Sequence, residues 1–180
     1  NNTAVGKNAM GANTTGHRNT SVGKDSMAVN TTGCCNASVG WGSLGSNTTA
    51  TGNTAVGAVA LTSNTTGCKN VALGESALYT NTTGNCNVAV GRQALYANLA
   101  THRNTAVGDN ALFANTAGDG NTGIGRNAGT AVTTGDNNTA LGGNTQVGTT
   151  GSNNTAIGDG AGSDAVRTIT TNSNEIVIGN

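Results

Sequence analysis

The chain has 180 residues, enough for one ordinary domain, yet 34% are hydrophobic, 2% are aromatic and none is proline. Eight Lys and Arg balance eight Asp and Glu to a formal charge of +0 with no basic run, which excludes the electrostatic footprint of a nucleic-acid or anionic-membrane binder. No stretch approaches the roughly 18 apolar residues of a helical membrane span.

From Asn2 the chain reads NTAVGKNAMGANTTGHR, and from Asn19 NTSVGKDSMAVNTTGCC. The same start recurs at Asn36, Asn53, Asn70, Asn87, Asn104, Asn121 and Asn138, always 17 residues on. A fixed period of this length marks a repeat architecture. After Asn138 the register loosens: the next start is Asn154, 16 residues on, and a partial coil, EIVIGN, begins at Glu175 after 21. Residues 1–137 are therefore read as regular coils, and residues 138–180 as irregular terminal coils continuing the same solenoid. The chain opens inside the pattern at Asn1, as expected of a piece of a longer protein.

Each coil can be numbered from its first Asn. Position 1 is Asn in ten consecutive coils, position 4 is always Val, Leu or Ile, and position 5 is always Gly. These glycines are Gly6, Gly23, Gly40, Gly57, Gly74, Gly91, Gly108, Gly125, Gly142, Gly158 and Gly179. Position 9 is Met or Leu, from Met10 to Leu112, and position 12 is Asn, in the first seven coils.

The N-T-A-V segment is short, β-branched and alternating, which predicts a brief strand. The Gly after it opens a backbone state closed to other residues and turns the chain. NTTG makes a second corner. Positions 4 and 9 are expected to point inward from two sides of the coil, with Ala at positions 3 and 8 admitting a close neighbour. The Asn columns at positions 1 and 12 predict amide ladders.

One such coil cannot bury its apolar side chains alone. Stacking coils about 4.8 Å apart does so, and makes a rod on the order of 50 Å long. Seventeen residues cannot hold two helices, and Gly, Thr and Asn oppose helix formation. The expected fold is all-β, a parallel β-solenoid. Its core is thin, so association along the rod through the Ala- or Thr-bearing strand face is expected to add burial.

The strings NTAVGxNAL, ANTTG and SNNTAIG, with the closing SNEIVIGN, resemble the repeats of bacteriophage tail fibres and of the heads of trimeric autotransporter adhesins. The likeness spans residues 1–180 and is closest over Thr3 to Gly6 and its equivalents. It implies a left-handed β-roll, a homotrimer or fibre, an extracellular place on a virion tail or cell surface, and a cell-surface glycan or receptor as partner.

Side chains able to do chemistry are sparse. His17 and His102 share position 16 but lie five coils apart, roughly 24 Å by strand spacing, too far for one metal or one triad. No catalytic, cofactor-binding or metal-binding residues are assigned, and no enzymatic activity is expected. Cys34, Cys35, Cys68 and Cys86 all fall at positions 16 or 17. They admit three readings: free surface thiols, one disulfide within or between chains, for which Cys68 and Cys86 on adjacent coils are the candidates, or modification or metal binding. Tyr79, Tyr96 and Phe113 occupy position 10 of consecutive coils, which reads as a stabilising aromatic column or as a sugar-binding contact strip. Trp41, at position 6, is a further candidate contact. Asp119 and Asp136 share position 16 on successive coils and read as solvated carboxylates or a cation site. Asn-X-Thr sequons at Asn13, Asn30, Asn47, Asn64 and Asn81 arise from the repeat itself.

Three functions compete. The first is the shaft or receptor-binding part of a fibre or adhesin. The second is a self-assembling extracellular filament. The third is an ice-binding solenoid built on the position 2 threonines, a column that Ala37, Val71 and Val88 interrupt.

Overall fold

The computed structural model describes residues 1–163 and 171–179. Their strands are three residues each: β1 (Thr3–Val5), β2 (Thr20–Val22), β3 (Ala37–Val39), β4 (Thr54–Val56), β5 (Val71–Leu73) and β6 (Val88–Val90). The rest are β7 (Thr105–Val107), β8 (Thr122–Ile124), β9 (Thr139–Leu141), β10 (Thr155–Ile157) and β11 (Ile176–Ile178). They form one 11-stranded sheet in chain order, each pair parallel and in register, as Ala55 opposite Ala72 illustrates. The fold is a parallel β-solenoid. The irregular spacing after Asn138 does not break it, because β10 pairs with β9 on one side and β11 on the other.

Hydrogen bonds between coils extend well beyond the strands. The Leu44 N–H donates to Ala60 O at 3.0 Å, the Thr48 N–H to Thr65 O at 3.2 Å, and the Gly57 N–H to Val39 O at 2.8 Å. The non-strand part of the coil is thus laddered too. It is not extended, because residues at positions 7, 9 and 17 take the left-handed conformation: Val59 at φ 50°, Leu61 at 52° and Lys69 at 59°. For residues with a Cβ this costs roughly 1–2 kcal/mol each, and the paired backbone and buried leucines offset it.

The position 5 glycines stand in single file. Gly74 has φ 137°, and a Cβ built on it would lie 2.5 Å from Gly91 O in the next coil. No other residue satisfies both constraints.

The core corrects one expectation. Position 9 points inward as read, with Met27, Leu44, Leu61, Leu78, Leu95 and Leu112 all 0% exposed. Position 4 does not: Val5, Val39, Val56, Ile124, Leu141 and Ile157 are exposed, Val5 by 57%. The inward strand residue is the small one at position 3, such as Ala55, Ala72 and Ala89. Adjacent strand side chains face opposite ways, so only one parity is available. The coil is too narrow to set a Val against the position 9 Leu. Ser38 at position 3 meets Ser43 at position 8 across the interior at 2.6 Å between hydroxyls, which measures how close the two walls are.

From Asn121 onward the filling changes. Position 9 becomes Gly129, and the apolar volume moves to Val132, at position 12, and to Val147, both buried. In the earlier coils position 12 is the second asparagine column. Asn81 Nδ2 donates to Asn64 Oδ1 at 2.9 Å and to Gly84 O at 3.3 Å. The position 1 column works differently: the Asn70 N–H donates to Asn53 Oδ1 at 2.9 Å, while Asn70 Nδ2 donates to Gly84 O at 2.8 Å. Both amide ladders converge on the same corner carbonyl. Among the described residues no buried side-chain nitrogen or oxygen lacks a partner, as a largely polar core requires.

Candidate functional surface

The outward strand residues form two parallel columns. Position 2 carries Thr20, Thr54, Thr105, Thr122, Thr139 and Thr155, with Ala37, Val71 and Val88 between them. Position 4 carries the unbroken Val, Leu and Ile series. Over ten strand spacings this strip is about 48 Å long, with about 7 Å between its columns. That gives a strip on the order of 300 Å², apolar along position 4 and mostly threonine along position 2, and a continuous exposed apolar line of this kind is a candidate contact surface.

Position 16 is a second column, and its role was not legible. The Cys68 N–H donates to Asn85 Oδ1 at 2.7 Å, the Asn85 N–H to His102 Nδ1 at 2.9 Å, and the His102 N–H to Asp119 Oδ1 at 2.7 Å. The relay continues from the Asp119 N–H to Asp136 Oδ1 at 2.7 Å and from the Asp136 N–H to Ser152 Oγ at 3.0 Å. Each side chain accepts the backbone N–H of the coil before it. Short acceptors of quite different chemistry serve equally, so composition alone looked random. A rule that position 16 is always His, Cys, Thr, Asn, Asp or Ser was the available signal.

This relay accounts for several candidates. His102 and Asp119 meet as backbone acceptor partners, while His17 lies exposed far from them. Asp119 and Asp136 each spend Oδ1 on a main-chain N–H, and Asp119 Oδ2 lies 4.0 Å from the Arg103 guanidinium. Among the described residues no group of three or more His, Cys, Asp or Glu is arranged to hold a metal ion.

The cysteines are all free thiols. The Cys68–Cys86 bridge is not formed. Cys68 Sγ is turned along the relay, receiving the Thr51 N–H at 3.4 Å, whereas Cys86, left-handed at φ 60°, projects into solvent. Cys34 is half-buried. The hydrogen bond with the Cys35 side chain, then partial burial, push its thiol above the ordinary value of 9.0, against a smaller opposing pull from Arg18.

The sequon asparagines belong to the position 12 ladder. Asn30, Asn47, Asn64 and Asn81 are 0% exposed, and their Nδ2 groups already donate, so the folded rod offers no amide there to glycosylate.

The aromatic column forms as read. Tyr79 and Tyr96 stack with ring centroids 5.1 Å apart and planes 4° from parallel, and Tyr96 and Phe113 repeat this at 5.1 Å and 6°. Such pairs contribute about 0.5–1.5 kcal/mol each beyond burial. Trp41 is 57% exposed and is not part of this stack. Next to the column Arg92 grips Asp109 through Nε at 2.9 Å and through its second nitrogen at 3.2 Å. Beyond Phe113 lies a shallow hollow of about 290 Å³, lined by Gln93, Asn110, Phe113, Asn127 and Thr130.

Neither protein-family models, nor curated proteins, nor solved structures contain a match to this chain.

Proposed function

We propose that this chain is a structural and adhesive fibre segment, a rigid rod that associates with copies of itself along its strand face. It acts by contact rather than catalysis, in an extracellular setting such as a virion fibre or a cell surface. The observation that carries the reading is the unbroken outward column of Val, Leu and Ile at position 4. A single rod leaves much of that column in water and the rest half-buried, as at Leu73, Val90 and Val107; a homotrimer packed on it would bury it, and would supply the apolar burial that a core of alanine and one leucine per coil lacks. Zero net charge lets copies approach without repulsion.

The test is the mass of the particle in solution. Analytical ultracentrifugation of the chain at high micromolar concentration should give a trimer. The combined substitution Val56→Thr, Leu73→Thr, Val90→Thr and Val107→Thr puts a β-branched residue at each of these outward positions. It should yield a monomer with the same far-ultraviolet circular dichroism. A parent chain that sediments as a monomer at that concentration overturns the proposal.

A further inference from the structure

The hollow beyond Phe113 has a chemistry that the rod's own stability does not need. In the aromatic column Tyr96 has a ring stacked on each face, Tyr79 on one and Phe113 on the other. Phe113 has only one such neighbour. On its other side the column continues with Thr130, too small to cover a six-membered ring, and Thr130 and Phe113 both line the hollow.

Its polar wall is one column of amides. Gln93, Asn110 and Asn127 all stand at position 7, held left-handed at φ 56°, 54° and 56°. Each uses one half of its amide inside the rod. Gln93 Oε1 accepts from Arg92 at 3.0 Å, Asn110 Nδ2 donates to Asp109 at 3.2 Å, and Asn127 Nδ2 donates to Asn144 at 3.1 Å. The other halves, Gln93 Nε2, Asn110 Oδ1 and Asn127 Oδ1, have no protein partner among the described residues. Thr130 Oγ1 accepts from Gln146 Nε2 at 3.0 Å and keeps its own O–H to give. The lining thus offers two donors and two acceptors beside one apolar ring face, and no charge.

We propose that this hollow binds a single neutral pyranose, the terminal sugar of a glycan. A pyranose presents a C–H face suited to an aromatic ring and a rim of hydroxyls that both donate and accept. The volume of about 290 Å³ sits at the lower limit of roughly 300 Å³ for small-molecule clefts, which suits one ring rather than a chain. The absence of charge in the lining selects a neutral sugar over an acidic one. The site lies at positions 7 and 10, beyond the position 5 turn from the proposed association face. It therefore stays open in the assembly, where several weak copies would bind together. The inference names the partner class for the attachment role proposed above and rests on that reading for its biological setting only.

The experiment is an NMR titration of the unaltered chain with the methyl glycosides of glucose, galactose, mannose and N-acetylglucosamine. At least one should give saturable shifts of the Asn110 and Asn127 side-chain amides, with a Kd on the order of 1 mM. Phe113→Thr installs the residue that this column already carries at Thr62 and Thr130, and Asn127→Gly retains the left-handed backbone. Each should weaken binding about tenfold or more with the backbone spectrum otherwise unchanged. Tyr79→Thr, at the other end of the stack, should leave binding within about twofold. No saturable shift with any of the four, or binding that survives Phe113→Thr, overturns the inference. Because the titration is read on the side-chain amides of the hollow and the trimer on sedimentation, the failure of one is distinct from the failure of the other.

Discussion

The backbone N–H of Asn85 donates to Nδ1 of His102 one coil further along, at 2.9 Å. A histidine that reads as a solvated turn residue in the sequence is thereby a main-chain acceptor, with its neutral-form proton on Nε2. Replacing it with His102→Leu leaves the Asn85 N–H without that acceptor and should cost about 1 kcal/mol. His102→Asn, the residue the relay already carries at Asn85, should cost less than half as much. Urea unfolding of the two variants side by side checks the difference.

The interior asparagine ladder makes a stronger demand. Asn81 Nδ2 donates to Asn64 Oδ1 and its own Oδ1 accepts from Asn98 Nδ2 at 2.8 Å. Asn81→Ala breaks the chain of amides in the middle and leaves two buried neighbours short of a partner. The expected loss is about 2–4 kcal/mol, seen as a drop in the denaturation midpoint. Val132→Ala, in the same column but outside the amide run, should lose only packing, about 1–2 kcal/mol.

Gly74→Ala should be the most damaging single change on the strand side. The new Cβ would meet Gly91 O at 2.5 Å with the backbone at φ 137°, and the loss should reach about 3 kcal/mol or more. Hydrogen exchange should show the loss concentrated in the coils on either side, because each coil contacts only its neighbours.

Among the described residues Val59 is the one β-branched residue at a left-handed non-glycine position, at φ 50°. Its equivalents include Asn8, Asn110 and Asn127, and asparagine tolerates this region far better. Val59→Asn should raise stability by about 1 kcal/mol. Thermal unfolding should show the midpoint a few degrees higher.

Cys34 carries a thiol held above 9.0, chiefly by its hydrogen bond with the Cys35 side chain. A raised value means that folding favours the neutral thiol. Its contribution is complete below pH 9 and is lost as pH rises through the folded value. At mildly alkaline pH Cys34 should react with iodoacetamide more slowly than exposed Cys86, as peptide mapping would show.

Much of the fold was legible because a solenoid writes its geometry into its period. The spacing from Asn2 to Asn138 gave the coil, Gly6 and its successors gave a turn, and the two asparagine columns gave the amide ladders found along the rod. The parity of the strand was not legible. Thr-Ala-Val alternates whichever side faces in, and hydrophobicity alone favoured the Val at position 4, whereas the distance from Ser38 to Ser43 shows an interior that admits only the small residue. Position 16 hid for the opposite reason: its residues share an accepting atom at similar reach, not a polarity or a charge.

By itself the sequence determined the period, the parallel stacking and the lines of Gly and Asn, since each follows from local backbone preference repeated at a constant interval. Which apolar column is buried, and which end of the aromatic stack stays open beside free amides, was decided only by closure of the coil. Closing it sets the separation of the walls, and that separation sends leucine inward and leaves valine in water.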